Sequence, residues 1–231
     1  MSIPYLGQQI HCVTNFQDLV ATPFSGAVNA VCWTRKLVGD FSEIVEKVAH
    51  NGNITIVEQD DLRALLLSEQ GQLAREMLLH DMKALEAQGA SPMLNVINQY
   101  DRDDINSFFP TDVYSFHADY APEPLDTFLC TYYGEPSEIL PNSQAVKKVL
   151  IPEIRDALQQ QYHGASEDFE FFLSEHCYDL HYQPIPNACP IKVGLGNLWR
   201  LAVDYPGSPV LPCIHRAPRE KPGQPRLLLI C

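Results

Sequence analysis

A histidine and a carboxylate two positions apart are the first residues in this chain that could do chemistry together. His117 and Asp119 stand in segment 115–120, which reads as a short strand. Residues two apart in a strand project from the same face, so these side chains would point together. An imidazole and a carboxylate are two ligands of the facial triad of non-haem iron(II) oxygenases. Taken alone the tripeptide is weak evidence, because a hydrogen-bonded surface pair has the same spacing.

A third ligand would have to come from a distant part of the chain. His215 ends an apolar run at 210–214, and a strand there could bring it to the first two residues. A histidine that merely forms a hydrogen bond at a strand end is the alternative interpretation. Taken together, the three residues predict one iron(II) ion bound by His117, Asp119 and His215, which would also form the catalytic centre.

An arginine follows at a suggestive distance. Arg226 comes eleven positions after His215 and opens the apolar run 226–230. A guanidinium is costly to bury without an anionic partner, and its fork matches a carboxylate. We therefore expect Arg226 to bind a carboxylate, with a surface arginine on an edge strand as the alternative. Arg216 should face away from His215, and Arg200 is the next basic residue to consider.

Other polar residues could assist or form a site of their own. Thr131 and Tyr132 lie on the strand after His117. They could hydrogen-bond a bound co-substrate, or they could simply pack in the core. His176, Cys177 and His181 have ligand chemistry for a second metal. Because no second cluster of matched spacing accompanies them, an exposed helix end or a lid is the simpler interpretation.

These segments carry a family resemblance. Over nearly its whole length the chain resembles a bacterial family catalogued only as a domain of unknown function, some members of which stand beside zinc-homeostasis genes. The order of H-x-D, distant histidine and arginine also resembles the cupin-like iron(II)/2-oxoglutarate-dependent dioxygenases. Two features depart from that superfamily. Its R-x-S is Arg226-Leu-Leu228 here, and the 96-position interval from Asp119 to His215 is longer than usual. The resemblance to the bacterial family lies in 27–35 (AVNAVCWTR), 116–119 (FHAD), 128–134 (FLCTYYG), 138–142 (EILPN), 215–218 (HRAP) and 226–229 (RLLL).

The superfamily resemblance implies an oxygenase that uses iron(II), 2-oxoglutarate and O₂ on a C–H bond of a small molecule, such as an amino acid or amine. It also implies that Arg226 holds the C5 carboxylate of 2-oxoglutarate. Because Asp119 keeps the carboxylate ligand, hydroxylation, desaturation or cyclisation is favoured over halogenation. One alternative is a non-enzymatic metal-binding protein for zinc homeostasis, with Cys213 beside His215 as a soft ligand. A cupin dioxygenase without 2-oxoglutarate is a second alternative, although its usual all-histidine ligand set conflicts with Asp119.

Composition narrows the class of partner and the location. The formal net charge is −13, which disfavours nucleic acid and acidic membrane surfaces as partners. No apolar run reaches the roughly 18 residues of a membrane span, and residues 1–13 lack the pattern of a signal peptide. The seven cysteines are scattered without a C-x-x-C, which indicates reduced thiols. We expect a cytoplasmic protein.

The elements that would position the site fall into two parts of a single domain, 1–231. Residues 1–92 are predicted to be mainly helical, with helices at 40–50 and 60–88, a break at Gly71, and short strands at 27–33 and 54–57. From 93 onward short strands alternate with Pro and Gly turns, which is typical of a sandwich or barrel. The predicted strands are 93–99, 112–119, 126–133, 191–196, 198–204, 209–215 and 226–231.

The predicted fold is a mainly β protein with helices. Its core over 93–231 would be a double-stranded β-helix, that is, a cupin-like jelly roll. The helices of 1–92 would cover this core. A helical insertion at about 143–182, including a helix over 145–162, would interrupt it and lengthen the interval between Asp119 and His215.

Overall fold

The structure is a computed structural model that describes residues 8–102, 108–219, 221 and 223–231. Within those ranges the chain forms thirteen strands and six α-helices. The strands are β1 (Ile10–Val13), β2 (Ala30–Trp33), β3 (Ile54–Ile56), β4 (Met93–Ile97), β5 (Phe116–His117), β6 (Asp126–Tyr133), β7 (Glu138–Ile139), β8 (Ala145–Lys147), β9 (His181–Pro184), β10 (Ile191–Lys192), β11 (Leu198–Ala202), β12 (His215–Arg216) and β13 (Arg226–Ile230). The helices are α1 (Phe16–Ala21), α2 (Phe41–Lys47), α3 (Gln59–Ala64), α4 (Glu69–Glu86), α5 (Pro152–Gln161) and α6 (Phe169–Glu175).

The strands form two mostly antiparallel sheets. The larger has the order β1-β2-β11-β6-β13-β4-β3, and the smaller has the order β10-β7-β12-β5-β9-β8. Strands β1 and β2 pair in parallel, whereas the other pairs are antiparallel. From β4 onward the chain crosses repeatedly between the sheets, with β4, β6, β11 and β13 in the larger and β5, β7, β10 and β12 in the smaller. This mixture of helices and two antiparallel sheets is consistent with a β-sandwich.

The central strands of the larger sheet are buried on both faces. Along β6, Phe128 and Cys130 pack under the helices, whereas Leu129 packs between the sheets. In β13, Leu227 packs under the helices and Leu228 packs between the sheets. Because successive side chains in a strand point to opposite faces, burial of both faces requires nearly continuous apolar runs. The continuous apolar runs at 128–130 and 227–230 are the result.

The helices α1 to α4 cover the outer face of the larger sheet. In the longest of them, α4, the buried side chains Ala74, Leu78, Met82 and Leu85 recur every three or four residues, which is the spacing of one helix face. They join the apolar cluster that includes the outward residues of β4, β6 and β13. None of the described helices has the length and apolar character that a bilayer span demands. Because helices α1 to α4 pack on the outer face of the larger sheet, the predicted helical covering is confirmed for this face.

The predicted N-terminal part needs two corrections. Strand β1 was not predicted, and it pairs with β2 at one edge of the larger sheet. The strands predicted at 27–33 and 54–57 are confirmed as β2 and β3, which lie beside β11 and β4 in that sheet. The predicted helix over 60–88 is two helices, and it does not break at Gly71. The chain becomes extended at Leu65, and Ser68 then caps α4 by accepting a hydrogen bond from the Gly71 N–H. A side-chain cap at Ser68 fixes a new helix start, which places Gly71 inside the first turn.

The predicted insertion is not purely helical. Strands β8 and β9 pair with each other and extend the smaller sheet beside β5, and α5 and α6 lie between them in sequence. The predicted helix over 145–162 begins only at Pro152. Proline disfavours helical geometry in the residue before it and suits the first helical position, so Ile151 is extended and α5 starts at Pro152.

A buried ion pair fastens α4 to the larger sheet. Asp81 of α4 is 1% exposed, and both its carboxylate oxygens accept hydrogen bonds from the guanidinium of Arg35. The hydroxyl of Tyr132, on the outer face of β6, donates to the same carboxylate. Removing one member of such a pair leaves a buried charge without its partner, which is much costlier than the net value of the pair.

We expect Asp81→Asn to lower the free energy of unfolding by about 3–5 kcal/mol, because it leaves the Arg35 charge buried and unbalanced. The exposed Asp61→Asn in α3 is the control, with an expected change within about 0.5 kcal/mol. Urea unfolding followed by circular dichroism measures both. Equal stability of the two variants would mean that the pair does not hold α4.

Candidate metal centre

Two paired strands and one loop bring the predicted ligands together. His117 of β5 and His215 of β12 are directly opposite each other in the smaller sheet. Asp119 follows β5 by two residues. One ligand atom from each residue lies within 4.8 Å of those of the other two. The structure therefore brings together the three residues that the sequence predicts, in a group that could hold one metal ion.

Main-chain carbonyls orient both imidazoles. The Nδ1 of His117 is 2.8 Å from the Ser115 carbonyl oxygen, and the Nδ1 of His215 is 3.3 Å from that of Cys213. A carbonyl can only accept, so each Nδ1 carries the proton and each Nε2 keeps its lone pair. Those Nε2 atoms lie 3.7 Å (His117) and 3.6 Å (His215) from oxygens of Asp119. An imidazole whose other nitrogen is tied to a carbonyl in this way is the usual arrangement of a metal ligand.

Asp119 is held differently from the predicted strand. Strand β5 consists only of Phe116–His117, so the prediction of one strand over 112–119 is wrong on both sides of those two residues. Instead, the Asp119 carbonyl accepts a hydrogen bond from the Asp204 N–H at 2.7 Å, and the Ala121 N–H donates to the Asp204 carbonyl at 2.9 Å. The Asp119 side chain accepts a hydrogen bond from the Thr127 hydroxyl at 2.5 Å. Contacts from outside the smaller sheet thus place the third ligand.

The protonation states suit a metal ligand set. Burial, together with the neighbouring His215, lowers the pKa of His117 to about 4, so this imidazole is neutral at neutral pH. For Asp119, burial acts to raise the pKa, but His215, His117 and the Thr127 hydroxyl outweigh it and leave the pKa below its ordinary value. A neutral imidazole and an ionised carboxylate are the forms that bind a metal ion.

The group opens on a cavity of about 230 Å³ between the two sheets. Its wall is mostly apolar, and a mostly apolar wall lowers the local dielectric and strengthens electrostatic interactions inside. Its polar lining outside the ligand group comes from Asn95, Tyr100 and Ser137. Its apolar lining is Ile54, Ile97, Val113, Leu129, Ala217, Leu228 and Ile230.

Arg226 lies beside this cavity and is 1% exposed. Its strand, β13, is internal to the larger sheet, so the alternative of a surface arginine on an edge strand is wrong. The guanidinium donates hydrogen bonds to the hydroxyls of Tyr100 (3.2 Å), Thr131 (3.2 Å) and Ser137 (3.1 Å). Tyr100 and Ser137 line the cavity, so their hydroxyls connect the guanidinium to its wall.

Thr131 and Tyr132 on β6 were both predicted to hydrogen-bond a co-substrate, but only Thr131 lies near the end of the cavity beside Arg226. Tyr132 points to the opposite face of the sheet, where its ring stacks on Phe41 at 5.3 Å and its hydroxyl donates to Asp81. The prediction that Tyr132 contacts a co-substrate needs correction, because adjacent strand residues face opposite sides. Arg200 also lies on the outer face, where it donates to the carbonyls of Val20 and Thr22.

The other residues considered in the sequence analysis lie outside the candidate metal group. Arg216 forms an ion pair with Glu138, its register partner on β7. His181 stands opposite His117 on β9, with ring centroids 5.8 Å apart. His176 is exposed and stacks on Tyr178. Neither histidine belongs to the ligand group, and the structure does not bring them together as a second centre.

The sequence did not predict three residues that lie near the site: Thr127, Tyr100 and Ser137. Each contributes a hydroxyl, which is too common a group to attract notice by type. Thr127 carried a signal that could have been used, because it precedes Thr131 by four positions on a predicted strand. Two hydroxyls at even spacing in a strand lie on one face.

We predict one divalent metal ion per chain. His215→Ala should weaken Mn(II) or Fe(II) binding by more than about 100-fold, beyond the range typical of changes outside the ligand set. His176→Ala removes an exposed histidine and should bind as the wild type does. Anaerobic titration of both variants, with circular dichroism to confirm folding, makes the comparison. Normal iron binding by His215→Ala would exclude this ligand set.

Comparison with known proteins adds no relative. No family model matches the chain, and searches of curated proteins and of solved structures also found no match. The function therefore has to be inferred from the geometry of the site.

Proposed function

We propose that this chain is an iron(II)- and 2-oxoglutarate-dependent oxygenase that acts on a C–H bond of a small molecule. One observation carries the proposal: the His117, Asp119 and His215 group and the hydroxyls that hold Arg226 line the same cavity. A metal group alone would fit many functions. A metal group with a buried guanidinium beyond it fits a co-substrate that chelates a metal at one end and carries a carboxylate at the other.

The ligand chemistry favours iron(II). Two imidazoles and one carboxylate form the donor set of the facial triad, which leaves coordination positions for exogenous ligands. When bound, iron(II) with 2-oxoglutarate and O₂ would supply oxidation of a C–H bond, with release of succinate and CO₂. The protein's own contribution is to fix the tautomers of His117 and His215, to keep Asp119 ionised, and to surround the site with apolar wall.

Strand β6 relates the metal group to Arg226. Thr127, Leu129 and Thr131 lie on its inner face. Thr127 contacts Asp119, Leu129 lines the cavity, and Thr131 contacts Arg226. From Thr127 to Thr131 the strand rises by roughly 13 Å, and the side chains of Asp119 and Arg226 occupy part of that length. The remaining length fits an elongated dicarboxylate that lies over Leu129, with its metal-binding end at Asp119 and its other end at Arg226.

Arg226 is suited to bind the distal carboxylate. A guanidinium offers two parallel N–H groups to a carboxylate, a geometry that a lysine cannot reproduce. The hydroxyls of Tyr100, Thr131 and Ser137 hold the guanidinium in place. Those of Tyr100 and Ser137 can also donate to a carboxylate, because a hydroxyl both donates and accepts.

The strand order supports a jelly roll as the finer description of the fold. Four strands of the larger sheet run in the order β11-β6-β13-β4, and four of the smaller sheet run β10-β7-β12-β5. The chain takes all eight in sequence, changing sheets at every step except between β7 and β10. Eight strands in two facing sheets are the pattern of jelly rolls and cupins. In this description the ligands stand on the neighbouring strands β5 and β12 or just beyond.

The alternative of a non-enzymatic metal-binding protein for zinc homeostasis loses part of its argument. It relied on Cys213 as a soft ligand beside His215. The thiol is buried in the apolar cluster between the sheets and is outside the ligand group. Burial, and secondarily the charge of Asp119, raise the pKa of Cys213, which disfavours the thiolate that binds zinc. A non-enzymatic zinc protein therefore remains only as an outcome of the experiment below.

Activity can be tested before the substrate is known. We expect slow release of succinate from 2-oxoglutarate that requires both Fe(II) and O₂, is abolished in His215→Ala, and rises when the true substrate is added. Chromatography of the organic acids measures it. A protein isolated with tightly bound zinc, and still inert after exchange to iron, would support the non-enzymatic zinc-homeostasis alternative instead.

Arg226→Leu should raise the apparent constant for 2-oxoglutarate by about 100-fold, since a charge-assisted bidentate pair contributes on the order of 3 kcal/mol. Iron affinity should be unchanged, because Arg226 is not a ligand. Arg226→Lys keeps the positive charge but loses the two parallel N–H groups, so its apparent constant for 2-oxoglutarate should lie between those of the wild type and Arg226→Leu. Arg216→Leu is the control, because it removes an arginine on β12 of the smaller sheet that pairs with Glu138 instead. Unaltered 2-oxoglutarate dependence in a folded Arg226→Leu would remove the arginine from the proposal.

A further inference from the structure

We propose that Asn95 binds the substrate of this cavity and selects one that is uncharged, mostly apolar and carries an amide group. The inference rests on the proposed function, because it names the substrate class of the same site. It does not rest on how a metal ion would be coordinated, since Asn95 stands on the larger sheet and is outside the ligand group.

Asn95 is a buried polar residue with hydrogen-bonding groups to spare. It lies on β4, is 7% exposed and lines the cavity. Its side-chain nitrogen donates to the Met93 carbonyl at 3.2 Å. A carboxamide has two N–H donors and a carbonyl acceptor, and within the described part of the chain Asn95 has no further side-chain partner. Its Oδ1 and one N–H are therefore free to pair with a bound molecule.

The neighbours of Asn95 on the inner face of the sheet are apolar. Its register partners are Ile56 on β3 and Leu228 on β13, and residues directly opposite each other in antiparallel strands share a face. Ile97, two positions along β4, lies on the same face and pairs with Ile54. Leu228, Ile97 and Ile54 line the cavity together with Asn95. A molecule that pairs with Asn95 would thus rest on apolar surface.

The cavity opens beside Asn95 at the edge of the larger sheet. Strand β3 stands at the end of the strand order, and Ile54 is 42% exposed although it lines the cavity. Ile56 is exposed as well. Covering such isoleucines with an apolar chain removes both from water, which is favourable. We therefore place the amide of the substrate at Asn95 and its apolar part toward Ile54 and Ile56.

The charges around the cavity already have partners in the proposed oxygenase. Asp119 belongs to the metal group with the two histidines, and Arg226 is assigned to the distal carboxylate of the co-substrate. The other described residues that line the cavity have no charged side chain. A charged substrate would lose its hydration there without a counter-charge, which is unfavourable. An uncharged amide avoids that cost, unlike the amino acid or amine considered from the sequence.

The test uses hexanamide as the probe, because it combines an amide with an apolar chain. Hexylamine has a similar chain but is positively charged at neutral pH, and acetamide has the amide without the chain. Ligand-observed NMR titration of the metal-free protein measures their binding, so neither iron nor turnover is needed. A second titration with Mn(II) bound locates hexanamide, because the paramagnetic ion broadens the resonances of a probe in the same cavity.

We expect Asn95→Leu, which removes the amide at similar size, to bind hexanamide about 30-fold more weakly than the wild type, the loss expected for two neutral hydrogen bonds. The matched control is Asn98→Leu. Asn98 is exposed, donates to the Gly52 carbonyl at 3.0 Å and is outside the described lining of the cavity, so this variant should bind hexanamide normally. Circular dichroism confirms that both variants fold.

The wild type should bind hexylamine and acetamide at least about 10-fold more weakly than hexanamide, because the first brings an unpaired charge and the second lacks the methylene groups to bury. This comparison needs no variant. Hexylamine that binds as tightly as hexanamide would overturn the proposal.

Hexanamide that does not bind, that binds wild type and folded Asn95→Leu equally, or that is not broadened by bound Mn(II) would overturn it too. The oxygenase proposal can fail separately. If hexanamide binding depends on Asn95 but no Fe(II)-dependent succinate forms, the amide site stands and the assigned reaction does not. If succinate forms but hexanamide binding does not depend on Asn95, only the substrate class is wrong.

Discussion

The candidate site depends on one pair of residues in one short strand pairing. His117 and His215 face each other across β5 and β12, each of which is only two residues long. Such short strands contribute little pairing energy of their own, and their neighbours have to hold them. β9 pairs with β5 on one side, and β7 pairs with β12 on the other. The smaller sheet thus fixes the separation of two imidazoles that lie 98 residues apart in the chain.

The larger sheet supplies the rest of the site from the facing side. Its strand β6 sends Thr127 toward Asp119 and Thr131 toward Arg226. Its outer face is anchored by α4 through Asp81 and the apolar cluster. A site between two sheets is only as precise as their packing. The helices therefore matter to the chemistry indirectly, because they hold one wall of the cavity rigid.

How far the sequence could predict this site differs from residue to residue. The three residues of the candidate metal group were predictable because histidine and aspartate are rare enough in apolar segments for type and spacing to be informative. Arg226 was predictable because a charge in a buried run needs an explanation. The choice between Thr131 and Tyr132 required knowing which face of β6 meets the cavity, and both faces of that strand are buried. Tyr100 and Ser137 come from loops, so only the tertiary fold brings them to Arg226. The strands at 27–33 and 54–57 were expected, but their places in the larger sheet, beside β11 and β4, depend on pairing between distant segments.

One measurement tests the central claim that the histidines, Asp119 and Arg226 form a single iron and 2-oxoglutarate site. Fe(II) is added to the protein without oxygen, and visible absorbance is recorded as 2-oxoglutarate is titrated in. We expect a charge-transfer band that grows with 2-oxoglutarate to saturation, is missing in His215→Ala, and needs far more co-substrate in Arg226→Leu. Iron-loaded wild-type protein that gives no band at any concentration of 2-oxoglutarate would contradict the account.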